Sequence, residues 1–470
     1  MPVSALPLPD VVRRNEQEYG PRYAWLRFPS PAEARGAADQ RRELLESLQG
    51  RALMGCRRTK LDCADLAPGC RLCTRGVWSC LFVNGRCNAR CFYCPTRQDE
   101  VGVPTTNTLT FADPQSYVEY VERLRYRGVS LSGGEPLLTL ETTLSFARAV
   151  KRRFGAAVHL WVYTNGILAT PEVLAQLRDA GVDEIRFDIG ATGYDLGRAR
   201  RAVGVIATVT VEIPAVPEDV EVVRGKLAEM ADSGIQHLNL HQLRLTPHNY
   251  DQLVGRGYTF LHGERVTVLE SELAALGLLC HALNERLDLP LNYCSFVYKN
   301  RFQRAAARQR AGLLVLGPQE EVTQAGFIRS LHLTGTVDRL QSQARRLAAA
   351  GVTPDLWSLS GTGDRLQLAS QAWQFVDPEG PPAILEHWEA RLRQGPSGRH
   401  ACTPLELGGA TFCVERVRQE KAVSLTAAEV ARFGRLLAQE EDDATAAGGP
   451  PWWPRVRDRE FVEAGLQEYG

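Results

Sequence analysis

From Trp78 onward, short apolar runs alternate with stretches whose apolar residues recur at helical period. WSCLFVNG, VSLSGG, HLWVYTNG, EIRFDIG, TVTVEIPAV and HLNLHQLRL read as strands, and PLNYCSFV is strand-like. The intervening DPQSYVEYVERLRYRG, TLETTLSFARAVKRRFG, TPEVLAQLRDAG, PEDVEVVRGKLAEMADSG and VTVLESELAALGLLCHALNERL read as helices. Asp113 and Thr170 stand as caps before a proline at the first helical position. Strands alternating with helices in this way build a parallel sheet. Six such units predict an α/β fold, a partial (β/α)6 TIM-like barrel, with functional residues at the C-terminal strand ends.

Four segments follow from the pattern: residues 1–55, an N-terminal extension with a helix over Pro31–Gln49; 56–80, a cysteine-rich segment; 77–300, the barrel; and 301–470, a smaller C-terminal α+β domain offering a surface for substrate or partner. In the last, LLVLGPQEEVTQAGFIRSLHLTG predicts two strands around a turn and TVDRLQSQARRLAAAG a helix. The remainder reads as helices with Gly/Pro-rich links, including Gly448–Pro454, and as a mobile tail.

Composition narrows the function classes. The 470 residues carry 55 Lys+Arg against 55 Asp+Glu, so bulk charge gives no reason to expect nucleic-acid binding. No apolar run reaches the roughly 20 residues of a membrane span, and MPVSALPLPDVVRRNEQEYG lacks the layout of a secretory signal. These features predict a cytoplasmic protein with no membrane partner. In a reducing compartment twelve cysteines are not expected to form disulfides. Eight of them fall between Cys56 and Cys94, a clustering that points to metal.

The sharpest motif is Cys87-Asn-Ala-Arg-Cys91-Phe-Tyr-Cys94, directly after a predicted strand. Three thiolates at this spacing can wrap three irons of a [4Fe–4S] cluster and leave the fourth open to a small molecule. A structural zinc knuckle is the alternative. The motif resembles the C-x3-C-x-aromatic-C signature of the radical S-adenosylmethionine (SAM) superfamily. That resemblance implies a radical SAM barrel whose open iron chelates SAM. One-electron reduction then yields a 5′-deoxyadenosyl radical that abstracts hydrogen from substrate, and Tyr93 packs over cluster or adenine.

Further positions match the family in order. Ser132-Gly133-Gly134-Glu135-Pro136 resembles its GGEP motif, with glycines for close approach to a ligand and Glu135 as acceptor for the SAM ammonium. Thr164 and Asn165 resemble its TNG-type strand end near the methionyl group and ribose, and Asp188 ends the fourth strand. Glu212 ends the fifth, where the family supports adenine. Asn239, His241 and Arg244 flank the sixth; His241 binds substrate or SAM, or is simply solvated. Asn and Asp at strand ends are also ordinary turn formers.

Upstream, Cys56, Cys63, Cys70 and Cys73, with Cys80 in the first strand, are candidates for an auxiliary Fe–S cluster or a mononuclear iron or zinc site; buried free thiols are the alternative. Cys294 is a distant candidate ligand, Cys280 reads as core, and Cys402 and Cys413 as unrelated thiols. GCRLCTRGVWSCLFVNGRCNARCFYC, VEIPAVPEDV, NYCSFVYKNRFQRAAARQR and EEVTQAGFI, spanning Gly69 to Ile328, resemble an uncharacterised group related to pyruvate formate-lyase activating enzymes. That likeness implies that Cys70, Cys73 and Cys294 lead Cys56 and Cys63 as auxiliary ligands.

The expected function is a radical SAM enzyme, an oxidoreductase or transferase, that acts on a peptide, protein or small metabolite and draws electrons from a ferredoxin or flavodoxin. Its alternatives are a glycyl-radical enzyme activase, against which the extra C-terminal domain argues, and a non-catalytic zinc-binding module. A cobalamin-dependent methyltransferase is disfavoured, because no D-x-H-x-x-G signature is present.

Overall fold

The computed structural model describes residues 8–62, 65–438 and 450–469. These fall into two compact units. One runs to Gln303 and takes in Leu407–Gly409 and residues 464–469; the other holds Arg304–Glu406 and Ala410–Glu463.

The strands of the first unit are β1 (Leu53–Gly55), β2 (Lys60–Asp62), β3 (Trp78–Asn84), β4 (Thr105–Thr106), β5 (Leu109–Thr110), β6 (Gly128–Gly133), β7 (His159–Thr164), β8 (Glu184–Phe187), β9 (Thr208–Pro214), β10 (His237–His241), β11 (Phe260–Leu261), β12 (Thr267–Val268) and β13 (Leu291–Cys294). Among the described residues eleven of them form one sheet in the order β1-β2-β13-β10-β9-β8-β7-β6-β3-β4-β5. From β3 through β13 its pairs are parallel, whereas β2 joins β13 and β4 joins β3 antiparallel. The expected six parallel strands therefore gain a seventh, and the cysteine-rich segment supplies the hairpin that extends this edge. The barrel stays incomplete, with β1 and β5 as free edges.

Period-two alternation sorts the side chains. Leu131, Val162, Ile185, Val211, Leu240 and Tyr293 point to the outer face and are fully buried. The helices fall where expected: Asp113 caps Pro114–Arg123 by accepting from the Ser116 amide at 2.9 Å, and Thr170 caps Pro171–Asp179 through the Val173 amide at 3.3 Å.

The inner face is polar and charged instead. In register across it stand Cys80, Ser130, Trp161, Glu184, Arg186, Glu212, Asn239, Asn292, Cys294 and Lys60. The short helix Pro68–Thr74 packs on this face. The Gly69 amide donates to Glu184 Oε2 at 2.9 Å, and a Cβ there would lie 2.5 Å from Arg186 Nη2 and 3.1 Å from the Trp161 ring. A larger residue would have to push the Arg186 guanidinium aside for the helix to seat this deeply.

Glu184 is the hub of the inner face, accepting from Arg186 Nε at 2.7 Å and Thr210 Oγ1 at 3.1 Å and pairing with His159 Nε2 at 2.9 Å. Burial alone would raise its pKa, but Arg186 and His159 overcome that and hold it at about 2. A carboxyl depressed in the folded state stabilises the fold fully above its ordinary pKa and loses that contribution as pH falls through the folded value. In metal-free protein we therefore expect urea stability to drop by up to about 3 kcal/mol between about pH 5 and pH 2. Glu184→Gln should flatten that part of the curve; an unchanged slope in the variant would refute the assignment.

The second unit holds β14 (Glu321–Val322), β15 (Ile328–Thr334), β16 (Trp357–Leu359), β17 (Arg365–Leu368), β18 (Ala383–Arg393), β19 (Cys402–Leu407) and β20 (Ala410–Leu425). They form a sheet ordered β16-β17-β15-β18-β20-β19, with β14 on β15. Its core gathers Leu331, Leu333, Leu340, Trp373, Phe433 and Trp453.

Several expectations fail here. Leu313–Leu316 is turn rather than strand, and β18 and β20 replace the expected run of helices and links. Trp452 and Trp453, read as part of the Gly/Pro-rich link Gly448–Pro454, are buried in the core because two indoles lose far more by exposure than the chain gains in freedom. Gly448 and Gly449 lie outside the described residues. Cys402 and Cys413, read as unrelated thiols, are joined by a disulfide, Cα atoms 5.6 Å apart. The connection Leu407–Gly409 places them on adjoining strands. Among the described residues no helix is long and apolar enough to cross a membrane.

Candidate functional site

The loop from Gly85 to Pro104 leaves the C-terminal end of β3 and carries Cys87, Cys91 and Cys94, all partly buried. Backbone bonds shape it: Gly85 N to Val101 O at 3.0 Å, Cys87 N to Gln98 O at 3.2 Å and Cys94 N to Cys91 O at 3.0 Å. The end of β6 keeps pairing with this loop, through Gly134 N to Asn84 O at 2.8 Å and Glu135 N to Arg86 O at 2.7 Å. A Cβ on Gly133 would meet Asn84 O at 2.1 Å, and one on Gly134 would meet Arg86 O at 2.1 Å. Both glycines are thus demanded by this backbone contact.

Glu135 is wholly buried and already engaged. Oε1 accepts from Leu137 N at 3.0 Å and Thr164 Oγ1 at 2.8 Å, and Oε2 from Asn165 N at 2.7 Å. Burial raises its pKa, against those three donors. The carboxylate locks β6 to the end of β7, a task the sequence reading, which aimed it at the SAM ammonium, had not foreseen. In Glu135→Gln one oxygen becomes an NH2 facing a donor, so we expect a loss of about 2 kcal/mol in unfolding free energy. A variant as stable as the parent would show that the three bonds contribute nothing net.

Asn165 completes the bridge, its Nδ2 donating to Asn88 Oδ1 at 2.7 Å and lying 3.5 Å from Cys87 Sγ. Tyr93 reaches across to β8, donating to both Asp188 oxygens at 2.9 and 3.0 Å. Burial pushes Asp188 up to about 6 despite that donor. Ser132 lies beside Cys80 on the inner face, and Pro136 is buried at the start of a turn over Pro136–Thr139. The structure therefore gathers Cys87, Cys91, Tyr93, Cys94, Gly133–Pro136, Thr164, Asn165 and Asp188 at the ends of β3, β6, β7 and β8.

Glu212, Asn239 and His241 stand elsewhere, on the inner face. Glu212 Oε2 accepts from Arg186 Nη1 at 2.7 Å and Asn239 Nδ2 at 3.1 Å, and Asn239 Nδ2 lies 3.3 Å from Cys70 Sγ. Burial, then Lys299, pushes His241 down to about 3, and its enclosed Nδ1 has no partner. Their roles toward SAM gain no contact with the cysteine loop from this geometry.

A cavity of about 500 Å³ opens at the loop, lined by Cys87, Asn88, Ala89, Arg90, Arg97, Gln98, Asp99 and His248. Gln98 Nε2 donates to Cys94 Sγ at 2.8 Å. Neither Gln98 nor His248 carried any motif signal. Among the described residues no three His, Cys, Asp or Glu side chains form a group able to hold a single metal ion. A cubane poses a different demand, because each thiolate binds its own iron. Three thiols on one loop, amide donors aimed at two of the sulfurs and an adjoining cavity fit that group.

A model of the radical SAM superfamily matches residues 81–205. A Methanocaldococcus jannaschii protein that carries the name of a glycyl-radical enzyme activating enzyme is 30% identical over 295 residues, covering 60% of this chain and 77% of that one. A GTP 3′,8-cyclase of Corynebacterium glutamicum is 34% identical over 137 residues, 28% of this chain and 36% of its own. The crystal structure of Streptococcus suis SuiB bound to S-adenosylmethionine superposes with a TM-score of 0.35 at 10% identity, covering 68% of this chain and 70% of that one. That likeness is too slight to carry an argument.

Proposed function

The chain belongs to the radical SAM superfamily and is an enzyme of that chemistry; from that premise we propose that it cleaves SAM reductively at a [4Fe–4S] cluster on Cys87, Cys91 and Cys94 and abstracts hydrogen from a peptide or protein. The observation that carries this reading is the lacing of the cysteine loop to the ends of β6, β7 and β8 beside an open cavity. When bound, cluster and SAM supply a 5′-deoxyadenosyl radical. The chain's own part is positioning. Cys87, Cys91 and Cys94 bind iron, Gln98 and Asn165 donate toward sulfur, and Tyr93 closes over the loop while Asp188 holds its hydroxyl. Arg90, Arg97 and His248 line the cavity and suit an anionic group of SAM or substrate.

Arg86, Arg90 and Arg97 are exposed and make no ion pair among the described residues. They favour an acidic electron donor of the ferredoxin or flavodoxin class. The name of the Methanocaldococcus relative favours a protein substrate and keeps a glycyl-radical activase as the second reading. The same proposal includes an auxiliary metal on the upstream cysteines.

The test is 5′-deoxyadenosine formation by anaerobically reconstituted protein with dithionite and SAM. Product is expected. Protein that loses about four irons when Cys87, Cys91 and Cys94 are changed to Ala, and so carries a cluster on this loop, yet binds SAM and forms none would overturn the reading. A glycyl radical on a supplied partner enzyme would select the activase.

A further inference from the structure

We propose that Cys56, Cys70, Cys73 and Cys294 hold a second iron–sulfur cluster against the inner face of the sheet, with the Lys60 ammonium as its counter-charge. The proposal deepens the reading that the upstream cysteines bind an auxiliary metal, and rests on it.

Lys60 is only 2% exposed. It is the cross-strand partner of Cys294, and its Nζ lies 2.5 Å from Cys294 Sγ and 2.5 Å from Asn292 Oδ1, with the Tyr298 ring centroid at 5.3 Å. Among the described residues no carboxylate lies within ion-pair distance of it, and Asp62, two residues along β2, acts on it only from farther off. An ammonium enclosed in this way costs several kcal/mol unless negative charge accompanies it. Neutral thiols do not supply that charge, and bare thiolates would repel one another. Thiolates ligating a cluster are ionised and share their charge with iron.

The thiols converge on this ammonium from three directions. Cys294 comes from β13, and Cys56 from the turn between β1 and β2. Cys70 and Cys73, three residues apart, share one face of the helix Pro68–Thr74. Side chains tie the thiols to the ammonium: Asn292 accepts from Lys60 Nζ and donates to Asn239, whose Nδ2 reaches Cys70 Sγ, and the Tyr298 hydroxyl reaches Cys73 Sγ.

Polar donors already surround the sulfurs. Asn239 Nδ2 lies 3.3 Å from Cys70 Sγ, Gln303 Nε2 3.2 Å from Cys73 Sγ and the Tyr298 hydroxyl 3.1 Å from Cys73 Sγ. Hydrogen bonds to sulfur are a common device for tuning such clusters. Among the described residues the thiols form no group able to hold a single metal ion. Cys80 lies apart, beside Ser130 and Ser132, and is left out of the set. Cys63 lies outside the described residues.

The experiment starts from the full chain with Cys87, Cys91 and Cys94 all changed to Ala, reconstituted anaerobically with iron and sulfide and assayed for iron, sulfide and zinc. About four irons and four sulfides should remain per chain, fall to background in Cys73→Ser or Cys294→Ser on that background, and persist in Cys80→Ala. Lys60→Met should lower retained iron roughly threefold, with circular dichroism reporting that the variant folds. One zinc and no iron would overturn the cluster and leave an auxiliary metal standing. No metal in a folded chain would overturn both. Full iron in Lys60→Met would remove the counter-charge role.

Discussion

Cys91→Ala should abolish SAM cleavage, lowering 5′-deoxyadenosine formation at least about a thousandfold while leaving the fold intact. Two thiolates cannot hold a cubane whose protein ligands number three, so iron on this loop should fall to background with activity. The fold should survive because Cys91 sits in an irregular loop whose shape is set by main-chain bonds around Cys87 and Cys94 and by the reach of Tyr93 to Asp188. Losing one partly buried thiol there resembles a surface change, worth about 0.5 kcal/mol or less. Iron analysis, circular dichroism and a product assay on one preparation check the three statements together. Cys280→Ala is the control: that thiol lies in the helix Leu269–Asn284 beside Ser47 and should leave iron and activity unchanged. SAM cleavage retained by Cys91→Ala would remove the cluster from this loop.

Gly134→Ala is expected to be nearly as damaging by a different route. Its methyl would lie 2.1 Å from Arg86 O and 2.4 Å from Arg86 C, atoms of the main chain that no rotamer can move aside. Relief requires the end of β6 to separate from the cysteine loop, and with it the bonds from Gly134 N and Glu135 N. Overpacking of this kind costs about 1–3 kcal/mol and sometimes more. Because the contact adjoins Cys87, the displaced loop should also lose cluster affinity. We expect a lower midpoint in chemical unfolding together with sub-stoichiometric iron. A fully loaded, equally stable variant would show that the two segments part without consequence.

The parallel core was legible because its outer-face residues are apolar at period two and the intervening helices carry caps, as at Asp113 and Thr170. The cysteine loop was legible because its three cysteines fall close together, at 87, 91 and 94. The inner face was not: Lys60, Glu184, Arg186 and Asn239 become one network only when strands far apart in the chain are set in register, and no local pattern encodes register. Glu135 was recognised, but its bonds to Leu137, Thr164 and Asn165 were not, for the same reason. In the second unit, β18 (AILEHWEARLR) is mostly Glu, Ala, Arg and Leu, which favour helix locally. Pairing along the full length of the two strands overrode that preference.

The pairing of β2 with β13 also sets a timetable for biosynthesis. Lys60 and Cys294 are 234 residues apart. A ribosome adding about 5–20 residues per second needs on the order of 10–50 s to cover that distance. Throughout this interval Cys56, Cys70 and Cys73 have been made but Cys294 has not, and the edge that β2 will occupy has no neighbour to receive it. The sheet therefore closes its N-terminal hairpin late, after the other parallel strands have been translated, and such long-range pairing is slow even once the chain is complete. The four thiols proposed to share a cluster are therefore complete only once translation has passed β13.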